Sequence, residues 1–264
     1  MTLSDVTTAE LHELASRYPQ ARSALLPMLH LIQSVEGNVT NEGIEVCADI
    51  LGISAAEVSG VATFYTMYKR RPMGEHHVGV CTNTLCAVMG GDLIFERLKG
   101  HLDIGNDETT DDGKVTLEHI ECNAACDFAP VMTVNWEFFD NQTPESAIEV
   151  VDKLRAGETV QATRGATITS WRAAERVIAG YEDGLVDEGP TAAGASLAGF
   201  EIAQANGWTA PAYGDTGDST STSTDDGTAE TKEGAAEQAD TSRAETETVI
   251  EQSPAETAEE GKDD

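Results

Sequence analysis

Four of the five cysteines form two close pairs, and this spacing constrains the fold more than any other feature of the chain. Four residues separate Cys81 from Cys86, and three separate Cys122 from Cys126. Where thiols stay reduced, pairs of this kind bind metal or carry out redox chemistry more often than they form structural disulfides. We therefore expect a fold that brings two distant loops together.

The residues around the cysteine pairs predict a compact α/β unit over residues 73–157. The strand pattern HHVGVC ends at Cys81, and a helix is predicted over CAVMGGDLIFERLKG. A second strand pattern, KVTLEHIEC, ends at Cys122, and is followed by the strand VMTVNW and a helix capped by Thr143. Two such strands lying side by side would bring both cysteine loops to one edge of the sheet. In the first of these helices, we expect Leu93, Ile94 and Leu98 to face inward.

Residues 1–72 predict a bundle of four helices. Thr7 and Glu10 have the spacing of a capping box at the start of the first helix, and Ser54 and Glu57 repeat it at the fourth. Gly37 stands where a glycine would end the second helix. Cys47 lies on the apolar stripe of the third helix, so we expect a buried apolar residue there and not a ligand.

The C-terminal part of the chain is predicted to be an extension followed by a tail. Residues 158–213 contain two short helix patterns with too few apolar residues for a core of their own, which indicates a partner-docking extension or a segment packed on its own domain. Their apolar residues would be exposed unless covered: Trp171, Val177, Ile178, Leu197, Phe200 and Ile202. Residues 214–264 are acidic and lack aromatic residues, which predicts a disordered acidic tail.

The charge of the chain excludes several classes of partner. A formal net charge of −31 disfavours binding to nucleic acid and to anionic membranes, because both need a basic surface. No apolar run is long enough to span a bilayer, and the first residues, MTLSDVTTAE, lack the features of a secretory signal. We therefore expect a cytoplasmic protein without direct membrane insertion.

Three kinds of site compete for the four paired cysteines. A structural zinc also takes four thiolates, although zinc knuckles mostly use C-x-x-C turns, which neither pair is. A [2Fe–2S] cluster needs two thiolates per iron and a wider reach, which suits the longer spacers. Dithiol exchange of the thioredoxin type requires C-x-x-C. The spacing thus favours a [2Fe–2S] cluster and leaves zinc open.

Several neighbouring residues have expected roles around this site. Phe128, Pro130 and Met132 would form its apolar wall. Backbone N–H groups of loops 82–86 and 123–126 would donate to the sulfurs, and a helix N-terminus would favour a thiolate at Cys86.

Two groups of basic residues nearby are not expected to be ligands. We expect His76 and His77 to be solvated or to lie at a strand edge. Residues 69–71, Lys-Arg-Arg, are expected to form a solvated turn, with attraction of an acidic partner surface as the alternative.

Two longer stretches resemble a known family. SGVATFYTMYKRRPMGEHHVGVCTNTLCAVMGG and ETTDDGKVTLEHIECNAACDFAPVMTVN are similar to the small thioredoxin-like [2Fe–2S] subunit of NADH:quinone oxidoreductase (respiratory complex I). The resemblance covers roughly residues 8–157 and includes all four paired cysteines. One departure lies in the second cysteine loop, which reads Asn123-Ala124-Ala125 where members of this family usually carry Leu-Gly-Ala.

The resemblance implies an electron-transfer subunit with a thioredoxin-like fold and no catalytic residues of its own. Cys81, Cys86, Cys122 and Cys126 would hold one [2Fe–2S] cluster that exchanges single electrons with FMN of the adjacent NADH-oxidising flavoprotein. The iron–sulfur-rich large subunit of the peripheral arm would be a second partner, on the cytoplasmic side of the inner membrane. The equivalent subunit of an NAD-linked formate dehydrogenase or hydrogenase stays an alternative, as does a zinc scaffold.

Overall fold

The computed structural model describes residues 3–190, 192 and 194–210 of the chain. The predicted acidic tail over 214–264 therefore lies outside the described residues. Among the residues described, no helix combines the length and the apolar composition that crossing a bilayer requires.

Four helices precede the first strand: α1 (Asp5–Ser16), α2 (Leu25–Glu36), α3 (Asn41–Leu51) and α4 (Ala55–Phe64), with a 3-10 turn over Ala21–Ala24. Their inward faces share one apolar core. Gly37 ends α2 with φ +83°, and the capping box of Ser54 and Glu57 is present, as predicted. The expected cap at Thr7 is wrong. Ser4 caps α1 instead, its side chain accepting from the Thr7 N–H, and Thr7 is buried within the first turn.

Cys47 is buried in this helical core, as predicted. Burial among apolar side chains raises the pKa of its thiol to about 12. The Cys47 thiol is therefore protonated at neutral pH and is not a reactive group.

A five-stranded sheet follows, made of β1 (His76–Cys81), β2 (Glu108–Thr109), β3 (Val115–Ile120), β4 (Met132–Val134) and β5 (Glu137–Phe139). The strands lie in the order β2-β3-β1-β4-β5. Only the β1–β3 pair, among these described strands, is parallel. The short strands β2 and β5 were not predicted.

Three helices accompany the sheet: α5 (Thr84–Val88), α6 (Gly91–Leu102) and α7 (Pro144–Ala156). The apolar faces of α6 and α7 share a core with β1, β3 and β4. The single helix predicted from Cys86 onward is broken before α6, where Gly90 takes φ +115°. Ile94 and Leu98 face inward as predicted, but Leu93 is exposed. The break rotates α6 about its own axis relative to the predicted single helix. The buried side of α6 therefore contains Ile94, Leu98 and Leu102.

The sheet carries a buried polar group that the sequence did not predict. His77 is fully buried, and its Nε2 lies 2.7 Å from Oε2 of Glu118. Lys69 is also buried and donates to the same oxygen at 2.5 Å. The expectation that His77 and Lys69 are solvated is therefore wrong, and His76 is buried at the start of β1. A shared carboxylate on the parallel strand β3 contacts His77 Nε2 and Lys69 Nζ, and sequence spacing does not reveal that contact.

The first helix of the C-terminal extension, α8 (Trp171–Ile178), packs against α2. Trp171 is 1% exposed, so this residue is covered by the chain's own fold, the alternative given for the extension. The second helix, α9 (Gly194–Ala205), has no buried residue, and Leu197, Phe200 and Ile202 are exposed as predicted. The docking role and the boundaries of the predicted domains stay predictions.

Glu175 of α8 connects the N-terminal helices with the sheet. Its side chain is completely buried and contacts His30 Nδ1 at 2.6 Å, Gln33 Nε2 at 2.7 Å and Trp136 Nε1 at 3.1 Å. His30 and Gln33 belong to α2, whereas Trp136 lies in the turn between β4 and β5. One carboxyl group thus satisfies polar side chains from two layers of the fold.

Replacing this carboxyl group should loosen the contact between the two layers. Glu175→Ala leaves His30 and Trp136 without their partner and removes one of the two acceptors of Gln33 Nε2, which should lower the free energy of unfolding by about 3 kcal/mol. Chemical denaturation of the purified protein measures this change. The exposed Glu182, replaced by Ala, is the matched control and should change stability by less than about 0.5 kcal/mol. Equal stability of the two variants would contradict the assigned role of Glu175.

Candidate metal centre

The parallel pairing of β1 and β3 brings both cysteine loops to one edge of the sheet. Cys81 is the last residue of β1 and lies opposite Ile120, the last residue of β3. Cys122 follows two residues later. The antiparallel strand β4 begins at the same edge, where the Cys81 N–H donates to the Val131 carbonyl at 3.1 Å.

All four paired cysteines line one small cavity at this edge, together with Asn123, Ala125 and Val131. The sulfur atoms of Cys122 and Cys126 are 3.7 Å apart. Cys81 and Cys86 are buried, whereas Cys122 and Cys126 are exposed. The structure therefore brings together the four residues singled out from spacing, with one pair inside the protein and the other at its surface.

Close contact between the backbone at the start of α6 and the first cysteine loop fixes the position of Cys86. It lies in α5, a helix of only five residues, so few peptide dipoles are aligned there and the expected dipole effect on Cys86 is weak. The next helix begins at Gly91, where an added Cβ would lie 2.4 Å from the Cys81 carbonyl oxygen and 2.9 Å from that of Cys86. Only glycine therefore allows α6 to start against the cysteine loop, a requirement that sequence analysis missed.

The apolar wall differs in part from the predicted one. Phe128 packs against a small cluster that contains Cys81, Cys86, Ala129 and Val131, as expected for a wall residue. Met132 lies in the core between the sheet and its helices, on the other face, because neighbouring residues of a strand alternate in direction. Val131 takes the place expected for Met132 and lines the cavity, and Pro130 is buried without lining it.

Backbone N–H groups from both loops contact sulfur, as expected. The Ala124 N–H donates to Cys122 Sγ at 3.4 Å. Burial raises the pKa of the Cys81 thiol to about 11. The hydrogen bond from the Asn83 N–H lowers this pKa, whereas the nearby thiols of Cys86 and Cys122 raise it further. The thiol of Cys122 raises the pKa of Cys126 through a side-chain contact and through charge. Because a metal binds thiolates, loading this site must release protons.

The spacing of the exposed cysteine pair suits two ligands of one metal ion. Two thiolates bound tetrahedrally to one metal at about 2.3 Å are about 3.8 Å apart, close to the Cys122–Cys126 separation. The four thiols line one cavity, and a [2Fe–2S] cluster takes two thiolates on each of its two irons.

The second cysteine loop contains a strained residue. Ala124 adopts φ +55°, a left-handed conformation that costs residues other than glycine about 1–2 kcal/mol. This is the position where the resembling family usually carries glycine. The second cysteine loop therefore holds a left-handed conformation at a residue that is not glycine.

Comparison with known proteins gives one family and several relatives. Residues 11–155 match the family model described as "Thioredoxin-like [2Fe-2S] ferredoxin". The E subunit of NADH-quinone oxidoreductase from Mycobacterium bovis is 60% identical over 200 residues, covering 75% of this chain and 79% of the relative. The E subunit of the same enzyme from Rickettsia bellii is 39% identical over 146 residues, covering 54% and 87%. An NAD⁺-reducing [NiFe]-hydrogenase in its air-oxidised state matches 50% of this chain and 23% of its own, at 16% identity and a TM-score of 0.45.

The strain at Ala124 can be tested by restoring glycine. Ala124→Gly should stabilise the metal-free protein by about 0.5–1 kcal/mol, because relief of the left-handed strain exceeds the added entropy of the unfolded chain. Denaturant unfolding of the metal-free protein measures the difference. Ala125→Gly is the matched control and should only destabilise, since Ala125 has φ −96°. A lower stability of Ala124→Gly than of the wild type would contradict this reading of the loop.

Proposed function

This chain belongs to the thioredoxin-like [2Fe–2S] ferredoxin family, and we propose that Cys81, Cys86, Cys122 and Cys126 hold its single cluster. The observation that carries the proposal is that these four thiols line one cavity. As a relative of the mycobacterial protein, the chain is a component of an NADH dehydrogenase complex with an electron-transfer role. The cluster, when bound, supplies one-electron redox chemistry, and the chain supplies the thiolates and their surroundings.

The two cysteine pairs have different roles in this proposal. The 3.7 Å separation suits Cys122 and Cys126 as ligands of one iron, which leaves Cys81 and Cys86 for the other. The buried pair is packed against Ala129 and Val131, which keeps water from that side. The exposed pair lies at the surface, where a redox partner can approach.

An apolar surface next to Cys86 supports docking of that partner. Leu85, Val88 and Met89 are 46%, 78% and 57% exposed, although they flank a buried cysteine. Exposed apolar side chains gathered in this way are typical of interaction sites. The partner is the FMN-containing, NADH-oxidising subunit, which exchanges single electrons with this chain. The iron–sulfur-rich large subunit of the peripheral arm, on the cytoplasmic side of the membrane, is the other neighbour.

Loss of one thiolate should abolish the cluster. Cys86→Ala removes a ligand of the buried pair, so the two-iron EPR signal of the reduced, reconstituted protein should disappear. Cys47→Ala is the matched control and should keep the full signal, because Cys47 is buried in the helical core. An undiminished signal in Cys86→Ala would exclude Cys86 from the site.

Docking can be separated from cluster binding. Val88→Glu places a charge within the apolar surface of Leu85, Val88 and Met89, so binding to the flavoprotein subunit should weaken about tenfold or more, equivalent to about 1.4 kcal/mol. The EPR signal of the isolated variant should not change. Titration of the labelled protein with the purified flavoprotein measures affinity, and Val6→Glu, an exposed valine of α1, is the control. Equal affinity of wild type and Val88→Glu would rule out this surface.

A further inference from the structure

We propose that Arg164 is a positioning residue that holds the second cysteine loop and thereby controls how firmly the cluster is retained. Arg164 lies beyond residues 11–155, the part of the chain that matches the family model. The proposal rests on the ligand assignment made above. It gives the segment after α7 a role at the metal centre.

The side chain of Arg164 is enclosed by two aromatic rings and a carboxylate. Its guanidinium lies 4.9 Å from the ring centroid of Phe128 and 4.5 Å from that of Phe138. Its Nε and Nη2 donate to the two oxygens of Asp140 at 2.7 and 2.9 Å. The side chains of Arg164 and Asp140 are 13% and 8% exposed. A two-pronged ion pair of this kind, partly removed from water, fixes the orientation of both side chains.

Backbone contacts place Arg164 at the edge of the sheet. The Thr163 N–H donates to the Phe138 carbonyl at 3.0 Å, and the Thr163 hydroxyl donates to the same oxygen at 2.8 Å. The Asp140 N–H donates in turn to Thr163 Oγ1 at 2.8 Å. Residues 163 and 164 thus pair with β5, so the position of Arg164 follows from the sheet.

Phe128 links this arrangement to Cys126. The two residues are the ends of one 3-10 turn, in which the Phe128 N–H donates to the Ala125 carbonyl at 3.0 Å. The Phe128 carbonyl accepts from the Asn141 N–H at 2.8 Å. Phe128 also packs against the cluster of apolar residues around Cys81 and Cys86. Arg164 therefore contacts the ring of Phe128, and the backbone of Phe128 belongs to the same turn as Cys126.

Removing the guanidinium should loosen the turn without removing a ligand. Phe128 would lose the cation over its ring, and Asp140 would keep a carboxylate that is nearly buried and has no cation. The turn could then move, and water could reach the cavity from the side of Phe128. Water near the cluster favours its more negative, reduced state, so the reduction potential should rise.

The test compares iron release from reconstituted protein to an excess of a coloured iron chelator. Arg164→Met should release iron at least about fivefold faster than the wild type, with changed EPR g-values and a higher reduction potential. Arg164→Lys keeps the charge but not the planar fork, so it should also release iron faster. The double variant Arg164→Met, Asp140→Leu removes the unpaired carboxylate and should still lose iron faster, because the contact with Phe128 is absent.

Arg155→Met is the control, since Arg155 forms a comparable pair with Asp112 at 2.8 Å on the surface. It should leave iron release, g-values and potential as in the wild type. If all Arg164 variants released iron at the wild-type rate and kept the wild-type g-values, the proposal for Arg164 would be overturned and the ligand assignment would stand. An equal effect in Arg155→Met would have the same meaning. A wild-type chain without a two-iron signal would overturn the ligand assignment, and the Arg164 proposal with it.

Discussion

The parallel pairing of β1 with β3 is the contact on which the metal centre depends. It places the carboxyl ends of two strands side by side, so that Cys81 and the loop after Ile120 meet at one edge. A shift of one residue in this register would move Cys122 by about 3.3 Å along the strand and reverse its side of the sheet. The buried group of His77, Glu118 and Lys69 spans the same two strands and favours the observed register.

Other parts of the fold support the cysteine edge, and α8 supports the other end of the sheet. Gly91 allows α6 to begin directly against the cysteine loop, and β4 is preceded by Val131, which lines the cavity. Residues after α7 return to the sheet and place Arg164 over Phe128. Further along, α8 inserts Glu175 between α2 and the turn at Trp136. The C-terminal extension is therefore in part structural, whereas α9 leaves its apolar residues exposed.

Sequence patterns predicted the elements whose signals are local. The strands that end near the cysteines, the capping box at Ser54 and the helix from Pro144 depend on neighbouring residues, and all are confirmed. The convergence of the four cysteines was also predicted, because it needs only two adjacent strands. The ligand roles themselves still await a test.

Some of the wrong predictions concern contacts between residues distant in sequence. His77 and Lys69 are buried against the carboxylate of Glu118, a contact that no periodicity identifies. Trp171, expected to be exposed unless covered, packs against His77 and Trp136. Met132 and Leu93 were misplaced for a different reason. A shift of one residue in a strand, or a break in a helix, turns a side chain to the opposite face.

The most direct test of the account is the content of iron and acid-labile sulfide in anaerobically reconstituted protein. A [2Fe–2S] cluster held by four cysteines predicts two iron ions and two sulfide ions for each chain. One tightly bound metal ion for each chain, without labile sulfide, would contradict the central claim and indicate a zinc-type site at the same edge of the sheet.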